Sequence, residues 1–180
     1  SYRQTYRDAT MLSDHVGQGC NIHGVHSATH GLAIDYAEAL LGQSGISTKP
    51  VELLHQVWHR FFQDNPQSQY LQICHSKGAI HVKNALETLD KALRARIIVI
   101  AIAPAAFIPK GLCSKSYHCL IKKDPVPFFA LNRDRIFNPD DEICILPDHA
   151  DGSHPHDLHG VSYTQKMFEI INQYHTTSFS

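Results

Sequence analysis

Ser76, Asp124 and His156 carry the chemistry needed to activate a hydroxyl, and each falls just beyond an apolar run or in a late loop. Ser76 follows Tyr70-Leu71-Gln72-Ile73-Cys74-His75, a β-prone stretch, and a helical pattern begins two residues later. A strand–turn–helix this tight pushes one side chain above the sheet edge. Gly78 supplies a small residue where the helix backbone must pack against the turn. The pattern is the nucleophile elbow G-x-S-x-G, with Cys74 in place of the first glycine. The competing reading is a serine that only caps the helix from Lys77 onward. A serine hydroxyl is a weak nucleophile until a base takes its proton, and the base needs an acid to fix its tautomer. Asp124 stands at a strand end ahead of Pro125 and Pro127, where its plainer role would be to open a turn. His156 lies in the loop before the last helix.

The elements expected to position these residues alternate between strand and helix. Asn21–Ser27 alternates apolar and polar residues like a strand, Ala28–Gly31 is a loop, and Leu32–Leu41 has a helical apolar face ended by Gly42. Pro50 opens a second helix to about Gln63, with Leu53, Leu54, Val57, Trp58, Phe61 and Phe62 as its stripe. The Tyr70–Cys74 strand leads into a long helix from Lys77 to about Arg94. Ile97–Ala103 is apolar on both faces, as in a central parallel strand covered on both sides. Ser116–Ile121 and Glu142–Pro147 are two further strands, and Ser162–Tyr174 is a closing helix. This alternation predicts an α/β fold, a three-layer α/β/α sandwich with a mostly parallel central sheet. One domain is expected over residues 21–180, after a poorly ordered lead-in over residues 1–20. Ligands of such sheets bind at the carboxyl ends of the strands, where Ser76, Asp124 and the Ala28–Gly31 loop fall.

Composition narrows the classes of function. The 180 residues carry a formal net charge of -1, with 18% charged and 43% hydrophobic residues. No basic stripe marks a nucleic-acid partner, and the longest apolar run, Ile97–Pro109, is too short for a transmembrane segment. The five cysteines are odd in number and show no CxxC pairing. Cys74, Cys119 and Cys144 sit in apolar runs and read as reduced core residues, which favours a reducing, cytoplasm-like compartment. The chain opens on Ser1 rather than Met, which leaves targeting open. Oligomeric state is not specified by any feature of the sequence.

The order of serine, acid after a later strand and histidine after the last strand is that of α/β-hydrolases. Over Asn21 to Tyr174 the chain resembles a compact member of that superfamily, of the lipase/esterase kind, and it is similar to uncharacterised hydrolase-like proteins of chlamydiae. Three stretches carry the likeness: Cys74-His75-Ser76-Lys77-Gly78, Asp124-Pro125-Val126-Pro127, and His156-Asp157-Leu158-His159-Gly160-Val161-Ser162-Tyr163. Class-3-type lipases likewise place an Asp, an apolar residue, Val and Pro after a strand. The resemblance implies a serine hydrolase acting through a covalent acyl-enzyme on a small-molecule or lipid ester, without a cofactor. Ser76 would be the nucleophile, Asp124 the acid and His156 the base, with His159 and His154 as alternative bases. The oxyanion hole would use the backbone N–H of Lys77 and a second donor at Thr29 or His30. The chain departs from the pattern at Cys74, in its short sheet and in lacking an obvious lid insertion.

Two rival readings remain at this point. His149-Ala150-Asp151-Gly152-Ser153-His154-Pro155-His156-Asp157-Leu158-His159 groups imidazoles and carboxylates that suit a transition metal, giving a metal-dependent hydrolase. The imperfect elbow alternatively suits a catalytically degenerate fold used for binding. Ala105–Ile108 and Pro127–Leu131 are candidates for an acyl-accepting wall or for plain core.

Overall fold

The computed structural model describes residues 2–16, 49–130 and 134–177. Four strands, β1 (Tyr70–His75), β2 (Ile97–Ile102), β3 (Lys115–Ile121) and β4 (Ile143–Leu146), form one sheet in the order β1-β2-β3-β4. All three pairings are parallel, running from Tyr70 beside Ile97 to Ile121 beside Leu146. The class is therefore α/β, with a parallel sheet flanked by helices. The expected strand at residues 21–27, the loop after it and the helix at 32–41 lie outside the described residues.

β2 is buried at every position, as its uniformly apolar sequence requires. Its side chains alternate between two clusters. Ile97, Val99 and Ala101 join Val51, Leu54, Trp58 and Phe62 of α2 (Lys49–Asp64) and Ala79, Val82, Ala85 and Leu86 of α3 (Gly78–Thr88). Ile100 and Ile102 join Tyr163, Met167, Ile170 and Ile171 of the closing helix. Burying a side chain of this size contributes roughly 1.5–3 kcal/mol, so β2 is the mechanical centre of the sheet. On α2 the buried stripe is narrower than expected, because Leu53 faces solvent.

The helix expected from Lys77 to Arg94 is broken. Leu89 is extended and buried, and Asp90 starts a separate short helix, α4 (Lys91–Arg94), by accepting the Ala92 N–H. After β3, Asp124 likewise caps a short helix, α5 (Pro125–Phe129), which opens on a proline at its first position. A further turn, α6 (Asp134–Phe137), precedes β4.

Within the expected lead-in, the described residues 2–16 are ordered rather than irregular. Tyr2–Val16 form a helix, α1. Met11 and Leu12 pack on the cluster under the closing helix α7 (Val161–Thr177), and the His15 ring stacks on Phe168 at 3.6 Å. Its apolar positions are too sparse for a clear period, and its anchoring comes from tertiary contacts made far along the chain. Cys74, Cys113, Cys119 and Cys144 are free thiols. Among the described residues no helix is long and apolar enough to cross a membrane.

Candidate active site

Ser76 stands at the end of β1 in the left-handed region, at φ 53°. For a residue with a Cβ this conformation costs about 1–3 kcal/mol and persists only where the surroundings impose it. Three hydrogen bonds do so. The Ser76 N–H donates to the Ile102 carbonyl at 3.0 Å, one step beyond the β1–β2 ladder, and its own carbonyl accepts the Ala79 and Ala105 N–H groups at 3.1 Å each. The side chain is thereby freed from capping work, and the residue at the cap of α3, Lys77, makes no side-chain capping bond. Cys74 fits the turn: a Cβ built on Gly78 would lie 3.5 Å from the Cys74 Cβ, an ordinary contact. Burial, then the nearby Cys113, pushes the Cys74 thiol up to about 12, so it is no competing nucleophile.

The Ser76 hydroxyl meets His156 Nε2 at 2.9 Å, and His156 Nδ1 meets Asp124 Oδ2 at 2.7 Å. A carboxylate can only accept, so the neutral imidazole carries its proton on Nδ1 and presents a lone pair at Nε2 to the serine hydroxyl. Asp124 is fully buried. Its Oδ1 accepts the Val126 N–H at 3.0 Å, leaving Oδ2 for the histidine. The turn-opening role and the acid role thus belong to different oxygens of one side chain. This relay can take a proton from Ser76 and return it to a leaving group.

The three nearby histidines are separated by their partners. His156 alone joins Ser76 to Asp124. His154 Nδ1 accepts the His156 N–H at 3.2 Å, and His159 Nε2 pairs with Asp8 of α1 at 2.7 Å. Asp151 turns to the Ser153 N–H. The histidine-rich segment therefore spreads its ligating groups over separate partners, and among the described residues no group of three or more His, Cys, Asp or Glu could hold a metal. Lys77 follows Ser76 at the start of α3, while Thr29 and His30 lie outside the described residues. Of the two candidate apolar walls, Ala106, Phe107 and Ile108 are buried core, and in the second Phe129 faces solvent.

Three residues to which the sequence reading gave no part in the triad, Tyr163, His149 and His75, support the site. Tyr163 accepts the Ile121 N–H on its hydroxyl at 3.2 Å, bracing the end of β3 ahead of Asp124. Burial and the Asp124 charge raise its pKa, so the hydroxyl stays protonated. The His149 ring lies over Gly160 so closely that a Cβ there would sit 2.2 Å from Nε2, and its Nδ1 accepts the Ser162 N–H. His75 Nε2 reaches the His156 carbonyl at 2.9 Å. Only the spacing from His156 to Gly160 and Tyr163 held a trace of this in the sequence.

No family model, curated protein or solved structure matches the chain.

Proposed function

We propose that the protein is a serine hydrolase of the α/β-hydrolase kind, acting on an ester or related acyl substrate. The observation that carries this reading is the continuous chain of contacts from Asp124 Oδ2 through His156 to the Ser76 hydroxyl, at 2.7 and 2.9 Å. The left-handed backbone at Ser76 supports it, because strain of this kind recurs at nucleophile elbows. Helical clusters on alternate residues of β2 support a three-layer α/β/α arrangement.

In the reaction, His156 Nε2 takes the Ser76 proton as Oγ bonds to the carbonyl carbon. Asp124 steadies the imidazolium that forms. The carbonyl oxygen becomes an oxyanion that accepts from the Lys77 N–H at the positive end of α3. Collapse breaks the bond to the leaving alkoxide, which receives the proton from His156 and departs as an alcohol. Water, deprotonated by the same nitrogen, then attacks the acyl-Ser76 and releases the acid.

Pre-steady-state hydrolysis of p-nitrophenyl acetate tests the scheme. The expected result is a burst of about one p-nitrophenol per protein molecule followed by a slower steady rate, both lost in Ser76→Ala. Linear release unaffected by Ser76→Ala would contradict it.

A further inference from the structure

The position between Cys74 and Ser76 is left unspecified by the elbow pattern, yet here it holds a histidine whose ring is directed at the base. His75 Nε2 lies 2.9 Å from the carbonyl oxygen of His156, and the two rings pack at 4.8 Å between centroids, tilted by 40°. A carbonyl accepts only, so His75 carries its proton on Nε2 and donates. We propose that His75 is a positioning residue, a strut that ties the backbone of the histidine loop to the strand end carrying the nucleophile.

The inference rests on the hydrolase reading and adds a requirement to it. His156 sits in a loop containing Pro147, Gly152, Pro155 and Gly160, not on a rigid element. Its side-chain bonds to Ser76 and Asp124 change in strength as the proton moves. The bond to its carbonyl does not, so the strut keeps Nε2 in place through every step. Among the described residues its N–H is held by His154 alone, at 3.2 Å. The strut also suits the charge that develops. The charged or titratable groups facing His75 are His156, Asp8 and Asp124. Burial first, and then the His156 charge, hold the His75 imidazole down to about 4. A neutral ring therefore packs against His156 when it becomes a cation, and like-charge repulsion does not oppose proton uptake.

Two variants separate this role from simple packing. His75→Gln keeps an N–H donor of similar reach, and His75→Phe keeps a ring without one. The rate of Ser76 acylation by p-nitrophenyl acetate is expected to fall about 10- to 100-fold in His75→Phe, as misplacement of a reacting group does. His75→Gln is expected to recover most of that loss while KM stays similar in all three proteins. The low-field proton resonance of His156 Nδ1, shared with Asp124, gives a readout independent of turnover. It should persist in the wild type and His75→Gln and broaden or vanish in His75→Phe. Equal acylation rates, or a resonance unchanged in His75→Phe, overturn the strut. If the wild type forms no acyl-enzyme, the hydrolase reading fails by itself, and selective loss of the resonance in His75→Phe still supports the strut.

Discussion

At the residue scale, the division of labour at Asp124 sets a sharp expectation. Asp124→Asn keeps an oxygen for the Val126 N–H, so α5 retains its cap. Its amide nitrogen would face His156 Nδ1 and force the proton to Nε2, which removes the lone pair that Ser76 needs. The rate constant kcat for ester hydrolysis should fall by a factor on the order of 10⁴, the loss seen when a relay histidine is held in the wrong tautomer. Retained far-ultraviolet circular dichroism would place the loss in the chemistry, and a fall below tenfold would contradict the assigned tautomer. Ser76 was legible in the sequence because an apolar strand stops at it and Gly78 follows. Asp124 was legible as a polar residue at a strand end. The choice among His154, His156 and His159 was not, because it turns on loop geometry within six residues. His75 was invisible, since its partner lies 81 residues away.

At the element scale, the histidine loop is shaped by what lies beneath it. His149 packs between Gly160 and Tyr163, its ring 5.0 Å from the tyrosine ring. A methyl group on residue 160 would meet three atoms of that buried ring at 2.2–2.4 Å. Gly160→Ala should therefore destabilise the protein by about 1–3 kcal/mol, the usual cost of overpacking. In urea titrations, His149→Ala combined with Gly160→Ala should cost less than the two single changes together. Additive losses would show that the contact is not the cause. The apolar period of α2 and the double-faced β2 could be read directly from sequence. The break at Asp90 could not, because the apolar spacing of Ile80 to Leu93 continues through it and only the cap betrays it. α1 escaped notice for another reason. Its hold on the rest comes from His159 and Phe168, more than 140 residues later, and from the cluster under α7, whose members begin about 60 residues on.

For the molecule as a whole, the sequential order β1-β2-β3-β4 brings Ser76, Asp124 and the loop of His156 to one end of a parallel sheet. The alternation of strands and helices made that class legible, while the neighbour order and register come from pairings no local pattern encodes. Two buried histidines give the assembled fold a pH signature. Burial is the largest cause for both, lowering His75 from 6.5 to about 4 and His118 to about 3. The unfolded chain binds protons at these sites near pH 6.5 and the folded chain does not. The contribution of these two histidines should therefore be full above about 6.5, fall as pH drops through 6, 5 and 4, and level off below about 3. Melting temperatures across that range should show a shallower decline in His118→Gln, and an unchanged slope would contradict the burial. The central claim, that Ser76 is an activated nucleophile, is tested most directly by treating the intact protein with a fluorophosphonate and mapping the adduct by mass spectrometry. A single adduct on Ser76, absent from Ser76→Ala and strongly reduced in His156→Ala, is the expected result. A folded wild-type protein that takes no adduct, or Ser76→Ala protein that still takes one, would contradict it.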